Sequence, residues 1–388
     1  MNSNSLRAEV GAVLPLVTKI RRHFHSHPEL SYNEVETTRL IASTLSEAGL
    51  EPRLRTPRTG LIVEIGDRDG GEKVVGFRAD LDALPIQEPE GLEYRSLTSG
   101  VMHACGHDFH AAIGTGLALL AARLGLKARF IFQPAEEAYP GGGEEMVGEG
   151  AAEGLSSIIA FHCDPTLEIG RVGIRPGPIT ASADRFFITL EGPGGHTARP
   201  HRTVDLVYAA GLLATQLPGH LDRLTDARLP KSVVFGRISG GTAVNVIPSS
   251  LEMSGTCRTL DRGVWEEIPG LLERLVHEIV APAGPKVLFS YQRGIPPVIN
   301  DEQVVAVCMR AVTELLGPEA VAEAPTSMGA EDFSQFTQAV PGSLIRLGVK
   351  GEQKMMDIHS STFRADEGCI ETGLLAGMAS LVALSANT

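Results

Sequence analysis

The stretch around which the sequence is organised reads Val101-Met102-His103-Ala104-Cys105-Gly106-His107-Asp108-Phe109-His110 and holds a thiol, three imidazoles and a carboxylate. Cys105 and His107 lie two positions apart, so in an extended segment both side chains point the same way. A thiolate and an imidazole that converge from one segment suit a transition metal such as Zn, Mn, Ni or Co. The alternative is a buried free cysteine beside core histidines, but so dense a cluster is typical of a metal site.

A helix is predicted directly after this cluster, because residues 111–120 are small and apolar and contain no proline. Asp108 then falls near the helix start, where unpaired backbone N–H groups favour a carboxylate. Three earlier histidines, His23, His25 and His27, also lie on a predicted helix. A spacing of two turns them to different sides of that helix, so we expect a solvated face there rather than a second metal site.

The length and composition of the chain limit the classes of protein to which it can belong. At 388 residues the chain exceeds the usual size of one core, so two domains are expected. The net charge of −13 argues against a nucleic-acid partner and against an anionic membrane. The five cysteines are scattered without a CxxC pair, and neither a secretory signal nor a membrane-spanning apolar run is apparent. We therefore expect a cytoplasmic protein with reduced thiols.

Potential ligands and acid–base groups recur where predicted strands end. They are Asp80 and Asp82 after residues 73–77, Glu136 and Glu137 after residues 128–133, and His162 after residues 157–161. Open α/β sheets place their sites at the carboxyl ends of parallel strands. The pattern therefore predicts an α/β fold, with a mostly parallel, helix-flanked sheet that carries a site along one edge.

A second domain is predicted within the first. The composition changes at residues 173–178, and the elements that follow alternate in the order strand, helix, strand, strand, helix, strand. This βαββαβ order is typical of a small α+β sandwich. After residue 294 the remaining helices and the last strand return to the first domain. The predicted division is residues 1–176 and 294–388 for a metal-binding catalytic domain, with an inserted domain at residues 177–293.

Glu136 and Glu137 suggest the chemistry of the site. Adjacent residues of an extended segment point apart, so one carboxylate can bind a metal while the other remains free as a base. His359, in a polar loop before the last predicted helix, is the remaining candidate ligand. A thiol nucleophile at Cys105 is the weaker reading, because His107 two residues away rarely has the geometry of a base. The sequence has no G-x-S-x-G motif either.

Six motifs, in order and over nearly the whole chain, resemble those of the dinuclear-metal aminoacylase and carboxypeptidase family. The chain is most similar to the amidohydrolase branch that contains hippurate hydrolase, N-acyl-amino-acid amidohydrolases and indole-acetyl-amino-acid hydrolases. The motifs are Arg78-Ala79-Asp80-Leu81-Asp82-Ala83-Leu84-Pro85, Met102-His103-Ala104-Cys105-Gly106-His107-Asp108, Gln133-Pro134-Ala135-Glu136-Glu137, Gly195-His196-Thr197, Asn245-Val246-Ile247-Pro248 and Met328-Gly329-Ala330-Glu331-Asp332-Phe333.

The resemblance implies two divalent metal ions per subunit (Mn, Ni, Zn or Co), with Cys105 as the bridging ligand. The five implied ligands are Cys105, His107, Glu137, His162 and His359. It implies Glu136 as the general base that activates water and then protonates the leaving amine. Relatives outside this branch carry a metal-binding histidine where this sequence has Asp80. Asp80 and Asp82 are therefore expected to support the ligands rather than to bind metal.

The resemblance also implies that the inserted domain is a lid and a dimerisation domain. His196 would reach the site of the partner subunit and stabilise an oxyanion. Asn245 and Arg258 would contact the substrate, Arg258 by clamping a carboxylate. Met328 and Gly329 would line the pocket for the acyl group.

These features and the resemblance together predict a metal-dependent amidohydrolase that cleaves the amide bond of an N-acyl amino acid or a related amide, and the resemblance alone implies that it is a homodimer. A dipeptidase or a deacetylase of an N-acetyl-amino-acid precursor is the nearest alternative. An alternative of another class is a protein that binds a ligand on the same fold without turnover. The presence of Glu136 beside a full ligand set argues against this non-catalytic alternative, because a binding protein has no use for a base.

Overall fold

A computed structural model describes residues 3–66, 73–352 and 357–386. The chain forms two compact units. The larger unit comprises Met1–Ile179, Ile299–Pro325 and Asp332–Thr388, and the smaller unit comprises Thr180–Val298 and Thr326–Glu331. These bounds differ from the predicted ones by a few residues at each crossing. They also place residues 326–331 in the smaller unit, because Ala181 donates its N–H to the carbonyls of Ser327 (3.1 Å) and Gly329 (3.0 Å).

The larger unit contains seven of the helices in the described part of the chain. They are α1 Ser3–Ser26, α2 Val35–Glu47, α3 His107–Leu124, α4 Gly142–Gly148, α7 Glu302–Leu316, α8 Ser334–Ala339 and α9 Cys369–Ser385. Its strands are β1 Arg53–Leu54, β2 Leu61–Ile65, β3 Val74–Asp80, β4 Ala128–Gln133, β5 Leu155–Glu168, β6 Val172–Gly173, β15 Val321–Ala322 and β16 Gly342–Lys350. Two further strands, β7 Gly177–Thr180 and β14 Val298–Asn300, contain positions at which the chain passes between the units.

The eight strands of the larger unit form one mixed sheet in the order β1-β2-β4-β3-β5-β16-β6-β15. Its central strands β4, β3, β5 and β16 are parallel to one another. Every residue of β3 and β4 is buried, as expected for strands covered by helices on both faces. Helices α3 and α9 are also apolar around most of their circumference, because they pack within the core. The predicted mostly parallel, helix-flanked sheet is confirmed.

The smaller unit has an antiparallel sheet in the order β10-β12-β8-β13. Its elements are β8 Ala183–Glu191, β9 Gly195–His196, α5 Leu206–Leu224, β10 Lys231–Ser239, β11 Val246–Ile247, β12 Ser250–Thr259, α6 Arg262–Val280 and β13 Lys286–Ile295. Apart from the short β9 and β11, they follow the predicted βαββαβ order. Helix α5 begins after Asp205, which caps it because its side chain accepts the N–H of Tyr208 at 3.0 Å. No helix in the described part of the chain is long and apolar enough to cross a membrane.

Candidate metal centre and active site

The segment from Cys105 to His107 joins the end of the β3–α3 loop to the first residue of α3. It is not extended as predicted, because Gly106 adopts a left-handed conformation (φ 91°) and α3 begins at His107. A Cβ atom at Gly106 would lie 2.6 Å from the sulfur of Cys163, so only glycine fits this turn. His107 donates from Nδ1 to the carbonyl of Asp82 at 2.9 Å. That bond leaves the lone pair of Nε2 for a metal.

His162 lies inside a strand rather than just after one. The prediction ended the strand at residue 161, but β5 continues to Glu168 because it stays paired with β16 beyond this point. Burial lowers the pKa of His162 well below its usual value, so the imidazole is neutral. Its Nδ1 donates to the carbonyl of Cys163 at 2.8 Å, and Nε2 lies 3.5 Å from the sulfur of Cys105. His162 therefore presents a free lone pair beside that thiol.

Glu136 and Glu137 do not lie on an extended segment, and their carboxylates do not point apart. Ala135 has a left-handed backbone (φ 54°), which turns the chain immediately before them. Asp82 then accepts the N–H of Glu136 at its Oδ1 and that of Glu137 at its Oδ2, both at 3.0 Å. As a result, Glu136, Glu137 and His107 each place one donor atom within 4.8 Å of the others.

His359 completes the cluster from the loop before α9. Its backbone is also left-handed (φ 59°), and its N–H bonds to the carbonyl of Ala104 at 2.7 Å. Its Nε2 lies 3.3 Å from the sulfur of Cys105 and 3.1 Å from Oε1 of Glu137. The hydrogen bond with Glu137 raises the pKa of His359. The structure thus brings together, in the larger unit, all five ligands that the resemblance implied.

This donor set fits a divalent transition metal. Donor atoms of Cys105, Glu137 and His359 lie within 4.8 Å of one another, and those of His107 and Glu137 are equally close. Within the described residues, the buried Nε2 of His107 lacks a hydrogen-bond partner, and Oε1 of Glu137 has only the contact with His359 beside it. Burial raises the pKa of the Cys105 thiol to about 12, so its thiolate form needs a nearby positive charge. A metal ion would supply that charge and could be bound by Nε2 of His107 and Oε1 of Glu137.

Behind the ligands lies a buried network centred on Arg78, which is fully buried. Its guanidinium donates to Gln133 (2.7 Å), Asp80 (2.6 Å) and Asp332 (2.7 Å). Asp80 in turn accepts a bond from Nδ1 of His110 at 2.7 Å. Asp80 is the last residue of β3 and forms an ion pair with Arg78. These contacts agree with the expectation that it supports the ligands rather than binding metal.

Two residues of this network were not identified as functional from the sequence. His110 accepts the N–H of Cys163 at 2.9 Å, next to His162. Asp332 donates its own N–H to Oε1 of Glu136 at 3.3 Å. A signal for His110 was present, because a residue three positions after His107 on a helix lies on the same face. No local signal connects Asp332 to Glu136, which is 196 positions away.

The histidine-rich end of α1 differs from the prediction. His25 is buried rather than solvated, and it bonds to Asp108 at 2.8 Å and to Glu88 at 3.1 Å. Arg21, also buried, pairs with the same carboxylate oxygen of Asp108 at 3.0 Å. Asp108 therefore pairs with Arg21 and His25 of α1, besides lying in the first turn of α3. The prediction of a solvated face was wrong because α1 packs against α3 along this face, and that contact cannot be read from local spacing.

In the smaller unit, His196 and Asn245 lie side by side. Strands β9 and β11 pair so that His196 is opposite Val246, and Thr197 donates its N–H to the carbonyl of Asn245 at 3.2 Å. The ring of His196 is exposed and accepts the N–H of Ala198 at Nδ1 (3.0 Å). Its Nε2 therefore faces solvent or a ligand.

Arg258, Met328 and Gly329 also lie together in the smaller unit. Nη1 of Arg258 donates to the carbonyl of Met328 at 3.1 Å, and Gly329 is the next residue. Met328 and Gly329 are exposed, whereas Arg258 is partly buried. The predicted substrate residues thus form two groups within this unit.

Comparison with known proteins identifies the family of the chain. Residues 76–383 match the model of peptidase family M20/M25/M40. An N-acetylcysteine deacetylase of Bacillus subtilis is 38% identical over 356 residues, which cover 90% of this chain and 91% of that protein. A Rhodococcus jostii protein named "Putative glutamate--cysteine ligase 2-3" is 40% identical over 368 residues. That match covers 94% of this chain but 46% of the relative, so this chain spans about half of the length of the Rhodococcus protein.

A solved structure has the same fold. The crystal structure of a dinuclear metal binding peptidase of the M20 family from Bacillus subtilis is 33% identical, with a TM-score of 0.84. The alignment covers 97% of this chain and 100% of that one. The chain therefore belongs to peptidase family M20/M25/M40 and is a metal-dependent hydrolase of amide bonds.

Proposed function

We propose that the protein hydrolyses the amide bond of an N-acyl amino acid to give a carboxylic acid and the free amino acid. The observation that carries this proposal is the pair Glu136–Glu137, held beside His107 so that a ligand and a base adjoin one another. The similarity to a deacetylase of an N-acetylated amino acid supports the substrate class.

In this proposal two divalent ions, drawn from Mn, Ni, Zn and Co, occupy the cluster. Cys105, His162 and His359 would be among the residues that hold them, since the sulfur of Cys105 lies 3.5 Å from Nε2 of His162 and 3.3 Å from Nε2 of His359. The remaining ligands are His107 and Glu137. When bound, the ions supply Lewis acidity, which lowers the pKa of water and stabilises negative charge on the amide oxygen.

Glu136 acts as the general base and then as the general acid. Its carboxylate takes a proton from the attacking water and afterwards gives that proton to the nitrogen of the leaving amine. The water oxygen first adds to the amide carbon, and the C–N bond then breaks as the nitrogen takes the proton, so one water is consumed for each amide. The N–H of Asp332, 3.3 Å from Oε1, keeps the carboxylate oriented during this transfer.

The smaller unit supplies recognition in the same scheme. Arg258 binds the carboxylate of the amino acid, Asn245 contacts the substrate, and Met328 and Gly329 line the acyl pocket. His196 stabilises the oxyanion in the site of a partner subunit, so the working form is a homodimer joined through the smaller unit. Exposure of His196 and of neighbouring Val244 and Val246 is consistent with a contact to a partner subunit.

We place the protein in the cytoplasm, since none of its five cysteines forms a disulfide.

The test is amine release from N-acetyl, N-benzoyl and long-chain N-acyl amino acids and from dipeptides. Chelator-stripped protein is assayed with each candidate metal added back. Release from an N-acyl amino acid that depends on metal supports the proposal and names the acyl class. Release from dipeptides alone would assign the chain to the dipeptidase alternative, and no release with metal bound would favour the non-catalytic one.

A further inference from the structure

Three residues other than glycine have left-handed backbones in the part of the chain that the structure describes. They are Tyr32 (φ 65°), Ala135 (φ 54°) and His359 (φ 59°). Such conformations are unfavourable for residues with a Cβ atom and persist only where the surroundings hold them. Ala135 immediately precedes the proposed base and ligand, and His359 is itself a proposed ligand. The strain is therefore concentrated around the site.

The side chain of Glu34 holds two of these three residues. Its Oε1 accepts the N–H of Tyr32 at 3.0 Å and the N–H of Ala135 at 2.8 Å. Its Oε2 accepts the hydroxyl of Thr59 at 2.6 Å. Glu34 is fully buried, with 0% of its surface exposed, and it lies 101 positions from Ala135 in the sequence.

The bond to Ala135 belongs to a series of three. The successive N–H groups of Ala135, Glu136 and Glu137 all bind buried carboxylates, the first on Glu34 and the other two on Asp82. Asp82 receives a further bond from Ser31 at 2.6 Å, in the same segment as Glu34. The segment between α1 and α2 therefore supports the whole turn that carries the two glutamates.

We propose that Glu34 is a positioning residue, which keeps Ala135 left-handed and thereby directs Glu136 and Glu137 toward one site. Without that turn the segment would extend, and adjacent side chains would point to opposite sides. The inference rests on the proposed function, because it takes Glu136 as the base and Glu137 as a ligand. It concerns a residue that touches neither substrate nor metal.

The hydrogen-bond pattern predicts which substitutions are tolerated. Both N–H groups reach the same oxygen of Glu34, so Glu34→Gln can keep both and donate its amide N–H to the hydroxyl of Thr59. Glu34→Ala removes the acceptor altogether. A matched control exists in Glu29, whose carboxylate also accepts two backbone N–H groups, those of Glu36 (3.1 Å) and Thr37 (2.8 Å), at the start of α2.

The experiment measures kcat, KM, the affinity for Co²⁺ and the absorption spectrum of the Co²⁺-loaded protein in these variants. We expect Glu34→Ala to lower kcat and Co²⁺ affinity by roughly 10–100-fold each, with little change in KM, and to alter the Co²⁺ bands. Glu34→Gln should keep kcat close to the wild-type value, because the amide retains the acceptor for both N–H groups. Glu29→Ala should leave kcat and the spectrum unchanged even if it lowers the melting temperature.

A rescue separates positioning from general instability. Glycine adopts the left-handed conformation at little cost, so Ala135→Gly added to Glu34→Ala should restore part of kcat. If Glu34→Ala does not fold, Thr59→Val tests the same point, because it removes the bond to Oε2 and should change the Co²⁺ bands in the same direction.

The outcomes distinguish this inference from the proposed function. An unchanged Co²⁺ spectrum and kcat in Glu34→Ala, in a protein that hydrolyses N-acyl amino acids, would overturn the positioning role alone. A changed spectrum in a protein that hydrolyses none of the amides would keep the positioning role and reject the function. Equal losses of kcat in Glu34→Ala and Glu29→Ala would also overturn the role, since they would show a loss of folding only.

Discussion

The candidate residues of the two units are held in opposite ways. Cys105, His107 and His162 in the larger unit are buried, and the two histidines are each oriented by a bond from Nδ1 to a backbone carbonyl. His196 and Asn245 in the smaller unit are exposed and are held mainly through their backbones. The first group is organised by the chain itself, whereas the second leaves its side chains free for a ligand or a second subunit.

Substitutions in the two groups should therefore have different effects. Changes in the buried group are expected to affect metal binding or chemistry and to propagate through shared bonds. Changes in the exposed group are expected to affect rate or binding with little effect on stability.

The largest effect is expected for Glu136→Gln. The amide keeps the size of the side chain but cannot accept the proton of water, so kcat should fall by about 10²–10⁴-fold. Metal content, measured by plasma mass spectrometry, should stay at the wild-type value because Glu137 and the other ligands are intact. A variant that turns over at the wild-type rate would remove Glu136 from the mechanism.

His196→Ala should lower kcat by about 10²–10³-fold, as the loss of an oxyanion donor does. Its metal content and melting temperature should not change, because the ring is exposed. Mixing this variant with Glu136→Gln tests whether the site is shared. A mixed dimer has one site with both residues only if His196 serves the partner subunit, so recovered activity supports sharing and continued inactivity contradicts it.

Asp82→Asn should lower metal affinity by roughly 10–100-fold, the usual effect of losing a partner of the ligands. The two carboxylate oxygens of Asp82 accept the N–H groups of Glu136 and Glu137. In asparagine one of these oxygens is replaced by an NH₂ group, which cannot accept the backbone N–H that faces it. Competition with a chelator measures the affinity. The control is Asp301→Asn, which alters a carboxylate that accepts the N–H groups of Gln303 and Val304 on α7. Equal affinities in the wild type and Asp82→Asn would contradict the role.

The smallest effect concerns the pH dependence of stability. Burial raises the pKa of Glu34 from 4.5 to about 7, so the folded protein holds this proton more tightly than the unfolded chain does. The stabilisation from the protonated form is complete below pH 4.5 and is lost as the pH rises through about 7. The melting temperature of Glu34→Gln, minus that of the wild type, should therefore be larger at pH 8 than at pH 5. A difference that is constant with pH would show that Glu34 ionises normally.

Much of the fold and of the ligand set could be predicted from the sequence, for local reasons. The spacing of apolar residues predicted β4 at its observed bounds and the βαββαβ order of the smaller unit. The ligand types are carried by the residues themselves, and the five ligands that the resemblance implied do converge, namely Cys105, His107, Glu137, His162 and His359. Their roles in binding and catalysis remain predictions that the experiments above test.

The remaining features depend on residues far apart in the sequence. Periodicity predicted a solvated His25, but burial against Asp108, 83 positions away, decided otherwise. The extended geometry assigned to Glu136 and Glu137 was wrong, because the left-handed turn at Ala135 is held from Glu34 and Asp82. Arg78 and Asp332 pair across 254 positions.

The sequence by itself determined which chemical groups are available and which local elements carry them. Side-chain chemistry and apolar spacing are properties of neighbouring residues, and they can be read without knowing the fold. Only the tertiary structure decided how those groups are aimed, because the buried carboxylates that direct the ligands and the base come from distant segments. A buried hydrogen bond such as that from Ala135 to Glu34 exists only once packing has excluded water from both partners.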